Sequence, residues 1–174
     1  MESSKGRESP TRIMASNNTE AEPKGGPLPG LLRPPAVFLS AILLGIALNQ
    51  VWPFSFVPST FRSLGPLFIL FAVLLFLLSF REFRAAGTSV RGSERSTAIV
   101  RTGPYRFSRN PIYLSFILLV LGLAVWLNDV WLLVTLVPAV AFIASVVIPR
   151  EERFIERNFH EQYSSYKATA RRWL

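Results

Sequence analysis

The chain has 174 residues, half of them hydrophobic, and carries a formal net charge of +8. Its length suits one domain, and its high apolar content with segregated charges is that of a membrane protein, which argues against a soluble globular domain. There is no cysteine and only one histidine, His160, so disulfides and thiolate metal sites are excluded and a histidine-built metal site is disfavoured. Because the arginines flank apolar stretches, the positive charge indicates lipid head groups as partners and not nucleic acid.

The chain divides into a polar tail and one membrane domain. Residues 1–33 are rich in Ser, Pro, Gly and Glu without an apolar period, and we predict a disordered tail. Residues 34–174 are predicted to form a single domain. Since about 20 helical residues cross a bilayer, its apolar stretches predict transmembrane helices at about residues 35–52, 64–80, 112–127 and 130–148.

After the last span, aromatic and aliphatic residues recur at helical spacing between charges, which predicts a C-terminal amphipathic helix. The predicted fold class is therefore all-α: an integral membrane helical bundle of about four transmembrane helices plus this amphipathic helix. Lysine and arginine are concentrated in the tail, the central loop and the C-terminal segment. The excess of positive charge on cytosolic loops predicts that both termini and the central loop are cytosolic.

Polar function is predicted to lie outside the spans, because the four spans contain essentially no ionisable residue, whereas transporters and channels usually place some there. What is left is a cytosolic layer formed by residues 81–111 and 149–174. An antiparallel hairpin brings its ends together, so we expect Asn110 and Tyr113 to lie near Glu151 and Glu152.

The stretch from Arg101 to Tyr113 is the most distinctive part of this layer. Gly103-Pro104 is typical of a tight turn, and Asn110-Pro111 is typical of the start of a helix, where Asn can cap and Pro fits the first position. A helix N-terminus at a membrane surface can bind an anionic group. Charge alone would also suit a simple positive-inside anchor, but an anchor does not require the ordered Gly-Pro-Tyr and Asn-Pro-x-Tyr pieces.

This stretch resembles the signature of the isoprenylcysteine carboxyl methyltransferase and phospholipid methyltransferase superfamily of integral membrane methyltransferases. That signature reads approximately Gly-Pro-Tyr-Arg, two residues, Arg-His/Asn-Pro, one residue, Tyr. A Glu-Glu pair followed by Phe and Tyr-x-x-Tyr, and a weaker segment at residues 86–90, support the resemblance, which covers roughly Phe80–Trp173. The matching positions are Gly103, Pro104, Tyr105, Arg106, Arg109, Asn110, Pro111, Tyr113, Glu151, Glu152, Phe159, Tyr163 and Tyr166.

The resemblance implies S-adenosyl-L-methionine as cofactor, no metal, and a hydrophobic or lipid-like methyl acceptor that enters from the bilayer. It implies catalytic roles for Arg109, Asn110 and Glu152. Because Asn stands where many relatives have His, a histidine-like acid/base role is not available at position 110. The implied cofactor-binding residues are Gly103, Pro104, Tyr105, Arg109, Asn110, Pro111, Tyr113, Glu151 and Glu152, and those expected to bind the acceptor are Arg101, Arg106, Tyr163, Tyr166 and Arg171.

Each of these roles has a simpler alternative. The two glutamates could stabilise the dipole of a helix that starts beside them. Tyr105 and Tyr113 could belong to an interfacial aromatic belt, and Tyr163 and Tyr166 could line the buried stripe of the last helix. For the whole chain, the alternatives to a methyltransferase are a non-catalytic four-span scaffold or lipid-binding protein, and a membrane reductase, for which the chain shows no room for a nicotinamide site. The sequence leaves the acceptor, the organism and the oligomeric state open.

Overall fold

The structure, a computed structural model, describes residues 32–86 and 99–173. Within these ranges it is built from helices and contains no strand, which confirms the predicted all-α membrane bundle. Most of the tail, most of the supporting segment at residues 86–90, and Leu174 lie outside the described residues. The helices are α1 (Pro34–Val51), α2 (Leu64–Ala85), α3 (Pro111–Leu127), α4 (Val130–Phe142), α5 (Ile148–Asn158) and α6 (His160–Thr169), with short 3₁₀ turns at Ser59–Phe61 and Gly103–Arg106 and a π-helical turn at Ile143–Val147.

Three continuous helical stretches are long and apolar enough to cross a membrane, and they are Pro34–Val51, Ser59–Ala85 and Val130–Asn158. The fourth apolar helix, α3, has 17 residues, a length of about 25 Å against a hydrocarbon core of about 30 Å. Large apolar side chains on α1 and α2 are exposed, among them Leu43, Leu70 and Leu77. Exposed apolar faces of this kind suit contact with lipid.

The bundle is organised as α2 packed along α3 and α1 packed along α4. The α2–α3 pair is close because glycines lie at the contact. A Cβ atom on Gly65 would lie 2.5–2.7 Å from Trp126 backbone and Cβ atoms, and one on Gly122 would lie 2.7 Å from the Ile69 side chain. Small residues at such contacts let two helix backbones approach and gain dispersion contacts without side-chain ordering.

The end of the bundle opposite the polar segments is fixed by the turn between α3 and α4. Asn128 adopts the left-handed conformation at φ 54°, and its Oδ1 accepts hydrogen bonds from the Phe56 and Val57 backbone amides at 3.0 and 2.8 Å. Asp129 caps α4 by accepting from the Trp131 amide at 2.9 Å. The tight turn at Asn128-Asp129 therefore also joins the α1–α2 hairpin to the α3–α4 hairpin.

The helix that follows this turn does not end where its apolar character ends. The predicted span stopped at residue 148, but α4 continues through the π-helical turn into α5 as one stretch to Asn158. Val147, which precedes α5, itself has helical dihedral angles. Glu151 and Glu152 therefore do not lie at a free helix N-terminus, and the helix-dipole explanation for this pair loses its basis.

The predicted C-terminal amphipathic helix is in fact two helices. α5 and α6 are separated at Phe159, which has φ −137° and ψ 42° and therefore leaves the helical region. The break allows α6 to fold back beside α5, so that Tyr163 and Tyr166 pack with Ile155 in one cluster. The aromatic spacing correctly indicated a buried stripe but not the change of direction.

We expect Gly65→Ala to destabilise the bundle, because the added methyl group meets backbone atoms of α3 that no side-chain rotation can move. Overpacking of this kind costs about 1–3 kcal/mol, to be measured as the free energy of unfolding in mixed micelles. Val73→Ile is the matched control, since it enlarges a lipid-facing side chain of the same helix. Equal stability of the two variants would contradict the close α2–α3 contact.

Candidate functional site

The polar end of the bundle is made from three segments: the loop before α3, helix α5, and the C-terminal residues after α6. The loop contains a 3₁₀ turn, Gly103–Arg106, that begins with Gly103 at φ 58°. A left-handed φ favours glycine, which explains this residue at the head of the turn. Tyr105 at the centre of the turn is buried, so the turn presents this ring to the interior.

The C-terminal segment lies alongside the loop. The Arg109 amide donates to the Arg171 carbonyl at 2.8 Å, Ser108 and Arg171 form a bridge of β type, and Asn110 Nδ2 donates to the Arg172 carbonyl at 3.0 Å. Asn110 flanks α3 as expected, but its side chain makes no capping hydrogen bond. The expected cap is therefore wrong, because the amide is used to hold the C-terminal strand-like segment against the loop.

A buried carboxylate lies at the centre of these segments. Glu152 is 8% exposed. Arg172 contacts it through both ends of its guanidinium group, with Nη2 2.6 Å from Oε2 and Nε 3.3 Å from Oε1. Arg109 Nη2 lies 3.5 Å from Oε1. Two cations therefore share one carboxylate. Sequence reasoning did not assign a role to Arg172, and its only signal was a position next to Arg171 at the end of the chain.

The neighbouring carboxylate has a different environment. Glu151 Oε1 accepts a hydrogen bond from Tyr113 Oη at 2.7 Å, and no arginine or lysine of the described residues forms an ion pair with it. The antiparallel α3–α4 hairpin predicts that Tyr113 lies near this glutamate, and the structure brings the two side chains together. Glu151 thus has an orienting partner and further acceptor capacity for a cationic group.

Within the described part of the chain, three buried polar atoms of this region have no hydrogen-bond partner: Arg109 Nε, Arg109 Nη1 and Tyr105 Oη. Buried donors are almost always satisfied, and each exception calls for an explanation. Burial raises the pKa of Tyr105 above its ordinary value, and the nearby Tyr166 and Glu151 act in the same direction. The hydroxyl therefore keeps its proton, and Tyr105 Oη, Arg109 Nε and Arg109 Nη1 are donors that no described residue uses.

The aromatic residues of α6 form the wall behind these donors. Tyr163, Tyr166 and Ala170 are buried together with Ile155 and Phe159 beside them. Tyr166 Oη donates to the Tyr105 carbonyl at 2.7 Å. Burial is the main cause that raises the pKa values of Tyr163 and Tyr166 to about 12, so both remain neutral hydrogen-bonding groups. Their predicted contact with an acceptor stays a prediction.

The other arginines predicted to bind the acceptor lie farther out. Arg101 donates a hydrogen bond to the Gln162 carbonyl, and its Cζ atom lies 5.8 Å from the centroid of the Tyr166 ring. These two contacts hold α6 against the loop. Arg171 is exposed and pairs with the loop through its backbone. Arg106 is exposed and borders a groove of about 640 Å³ between α2 and the start of α3, lined by Leu75, Leu78, Arg81, Glu82, Gly103, Pro104, Arg106, Phe107, Ser108, Pro111 and Leu114.

Of the nine residues predicted to bind the cofactor, five are linked by neighbouring contacts: Tyr113 bonds to Glu151, Arg109 pairs with Glu152, and Tyr105 lies near Glu151. Asn110 contacts the C-terminal segment, whereas Gly103, Pro104 and Pro111 line the groove on the α2 side of the loop. Among residues 32–86 and 99–173, no group of three histidine, aspartate or glutamate side chains is placed to hold a metal ion. The site is thus built from guanidinium, carboxylate and phenol groups.

Comparison with known proteins shows where this arrangement belongs. The sequence model of the phospholipid methyltransferase family matches residues 60–162, more than half of the chain. An uncharacterised protein of Haemophilus influenzae is 33% identical over 63 residues, which are 36% of this chain and the whole of that protein. No solved structure matches the chain. The chain therefore belongs to the phospholipid methyltransferase family, within the superfamily of isoprenylcysteine carboxyl methyltransferase-like integral membrane methyltransferases.

Proposed function

We propose that the chain is an S-adenosylmethionine-dependent methyltransferase that acts on a lipid-like acceptor at the cytosolic face of a membrane. Membership of the family indicates a membrane methyltransferase. The observation that carries the choice of cofactor is the buried Arg109 guanidinium group, whose Nε and Nη1 atoms have no hydrogen-bond partner among the described residues. When bound, S-adenosylmethionine supplies a methyl group on a sulfonium; the chain has to hold its amino-acid end.

Arg109 fits the carboxylate of that amino-acid end. Its Nε and Nη1 atoms can each donate a charge-assisted hydrogen bond to an anionic oxygen, and such bonds are roughly twice as strong as neutral ones. Glu152 uses only the Nη2 side of Arg109, at 3.5 Å, and so fixes the direction of the remaining donors. Tyr105 Oη is a further donor in the same buried region.

We assign the cationic groups of the cofactor to Glu151. Glu152 is already engaged by Arg109 and Arg172, whereas Glu151 is held by Tyr113 alone among the described residues. A carboxylate in this position attracts an ammonium or sulfonium group, and the phenol keeps it in one orientation. Glu152 then acts through Arg109, and a direct role for Glu152, Arg109 or Asn110 in methyl transfer stays a prediction.

The remaining contribution of the chain is to exclude water. Asn110 holds the C-terminal segment across the loop, and Tyr163, Tyr166 and Ala170 close the other side. In a site with little water, fixed charges act more strongly on a bound cation than they would in solvent. Methyl transfer needs mainly alignment of donor and nucleophile, which a closed site provides.

We place the acceptor in the groove between α2 and α3. Its walls are mostly apolar and continue into the lipid-facing surface at Leu75, Leu78 and Leu114, while Arg106 lies at its polar end. A lipid could therefore enter from the bilayer with its polar group near the loop. The family's description names phospholipid as one lipid acceptor of this kind.

The chemistry of the layer favours a carboxylate as the acceptor nucleophile over an amine. A carboxylate attacks without losing a proton, whereas an ammonium group must first be deprotonated. The histidine of the chain, His160, lies by Arg153, Glu156 and Arg157, so it is no base for this site. An assay with labelled cofactor that compares a prenylated cysteine and an aminophospholipid in vesicles would distinguish the two. Transfer to the amine alone would overturn the preference.

We expect Arg109→Lys to weaken S-adenosylmethionine binding about 100-fold, because lysine keeps the charge but cannot place donors where the Nε and Nη1 atoms of the planar guanidinium group lie. Calorimetric titration of the detergent-purified protein measures the change. Arg157→Gln, which removes an exposed arginine of α5, is the control and should bind like the unaltered chain. If the unaltered, folded chain binds no S-adenosylmethionine in detergent or in lipid, the cofactor assignment fails and a scaffold role is favoured.

We expect Glu151→Gln to weaken cofactor binding about tenfold or more, since it removes the charge that faces the cation. Tyr113→Phe should have a smaller effect in the same direction, because the charge remains and only its orienting bond is lost. Titrating S-adenosylhomocysteine, which lacks the sulfonium, locates the contact: equal losses for both ligands indicate the ammonium, and a loss for S-adenosylmethionine alone indicates the sulfonium. Unchanged binding of both ligands would contradict the assignment.

A further inference from the structure

Helix α2 continues beyond its apolar part into the polar layer. The apolar run ends at Phe80, but the helix extends to Ala85 and carries Arg81, Glu82 and Phe83 above it. Residues 87–98 separate this helix end from the loop that contains Gly103–Arg106. The contacts between the helix end and that loop are therefore not a consequence of direct chain connection. They are tertiary contacts between residues about 20 positions apart.

Glu82 is the main contact between the helix end and the loop. Thr102 Oγ1 donates to Glu82 Oε2 at 2.5 Å, which is a short, charge-assisted bond. The glutamate side chain also lies under Gly103, where a Cβ atom would come within 2.9 Å of Glu82 Cγ. The left-handed φ of Gly103 and the presence of Glu82 therefore both exclude a side chain at the head of the turn.

The next residue of α2 contacts the same turn. The Phe83 ring lies 5.3 Å from the Tyr105 ring, centroid to centroid, at an angle of 57°. Glu82 holds the start of the turn and Phe83 holds its centre, so together they fix the height and rotation of Tyr105. Arg109 lies four residues after Tyr105, and these two residues carry the donors that have no partner among the described residues.

We propose that Glu82 is a positioning residue for the cofactor site: its carboxylate fastens Thr102-Gly103 to the end of α2 and thereby sets Tyr105 and Arg109. This inference rests on the proposed function. Glu82 makes no contact with Arg109, Glu151 or Glu152 among the described residues. Its role is to act through the turn.

The ion pair of Glu82 does not account for the arrangement. Arg81 Nη2 lies 3.4 Å from Glu82 Oε1, but the Arg81 side chain is 73% exposed, against 18% for Glu82. An exposed ion pair between adjacent residues of one helix contributes little, and it would not require the carboxylate to face the loop. The hydrogen bond from Thr102 and the contact with Gly103 require the Glu82 carboxylate to face the loop.

The test is a double-variant cycle on Glu82 and Thr102, read by calorimetric binding of S-adenosylmethionine without acceptor. We expect Glu82→Ala and Thr102→Val each to weaken binding about tenfold, and the double variant to be no weaker than either, since both remove one bond. Glu82→Gln keeps an acceptor oxygen and should stay within about threefold of the unaltered chain. Glu161→Ala, which removes an exposed carboxylate of α6, is the control.

A second measurement separates this inference from the proposed function. Amide hydrogen exchange of residues 102–106 should be faster in Glu82→Ala than in the unaltered chain or in Glu161→Ala, with or without cofactor. Additive losses in the cycle, or unchanged exchange in the turn, would overturn the positioning role. If the unaltered chain binds no cofactor, the proposed function fails, and the exchange rates still decide whether Glu82 holds the turn.

Discussion

The polar end of this protein depends on one buried carboxylate shared by two guanidinium groups. Glu152 comes from α5, Arg109 from the loop before α3, and Arg172 from the end of the chain. A carboxylate that is 8% exposed is costly to bury unless it is paired and hydrogen-bonded. The ion cluster therefore requires all three segments to meet, and removing either arginine leaves a partly compensated charge inside.

The apolar helices hold this ion cluster in position, although their apolar parts contribute no charged side chain to it. Close glycine contacts fix α2 against α3, and the Asn128-Asp129 turn fixes the opposite ends of the hairpins. From this base, the helix that begins at Val130 continues without a break to Asn158 and carries both glutamates on a rigid support. A site built on continuous helices holds its geometry better than one built on loops alone.

Much of this plan could be read from the sequence. The hydropathy of the sequence predicts the four apolar helices, because a helix surrounded by lipid needs apolar side chains on every face. The proximity of Tyr113 and Glu151 is also predictable, because the lengths of two antiparallel helices determine which of their ends meet. The end of the last span was misjudged at residue 148, since the helix continues where only the polarity changes: backbone hydrogen bonds do not depend on whether side chains are apolar.

Other features depend on contacts between distant residues, which no local pattern encodes. The backbone pairing of Ser108 with Arg171 and the bond from Asn110 to the Arg172 carbonyl join positions about 60 residues apart. The sequence predicts that Asn110 caps α3, because Asn before Pro is common at the start of a helix. Its side-chain amide instead donates to the Arg172 carbonyl of the C-terminal segment. Arg172 could have been assigned only by knowing that this segment returns to the loop.

The unpartnered donors of Arg109 and Tyr105 show how stability and function are divided in this fold. A buried donor without a partner costs about 1–3 kcal/mol, more when it is charged, so a chain selected for stability alone would satisfy or replace it. Glu152 contacts only the Nη2 atom of Arg109, although Glu152 itself accepts two hydrogen bonds from Arg172. An anionic ligand group at this point would complete the bonds of Arg109, so part of the folding cost would return as binding free energy.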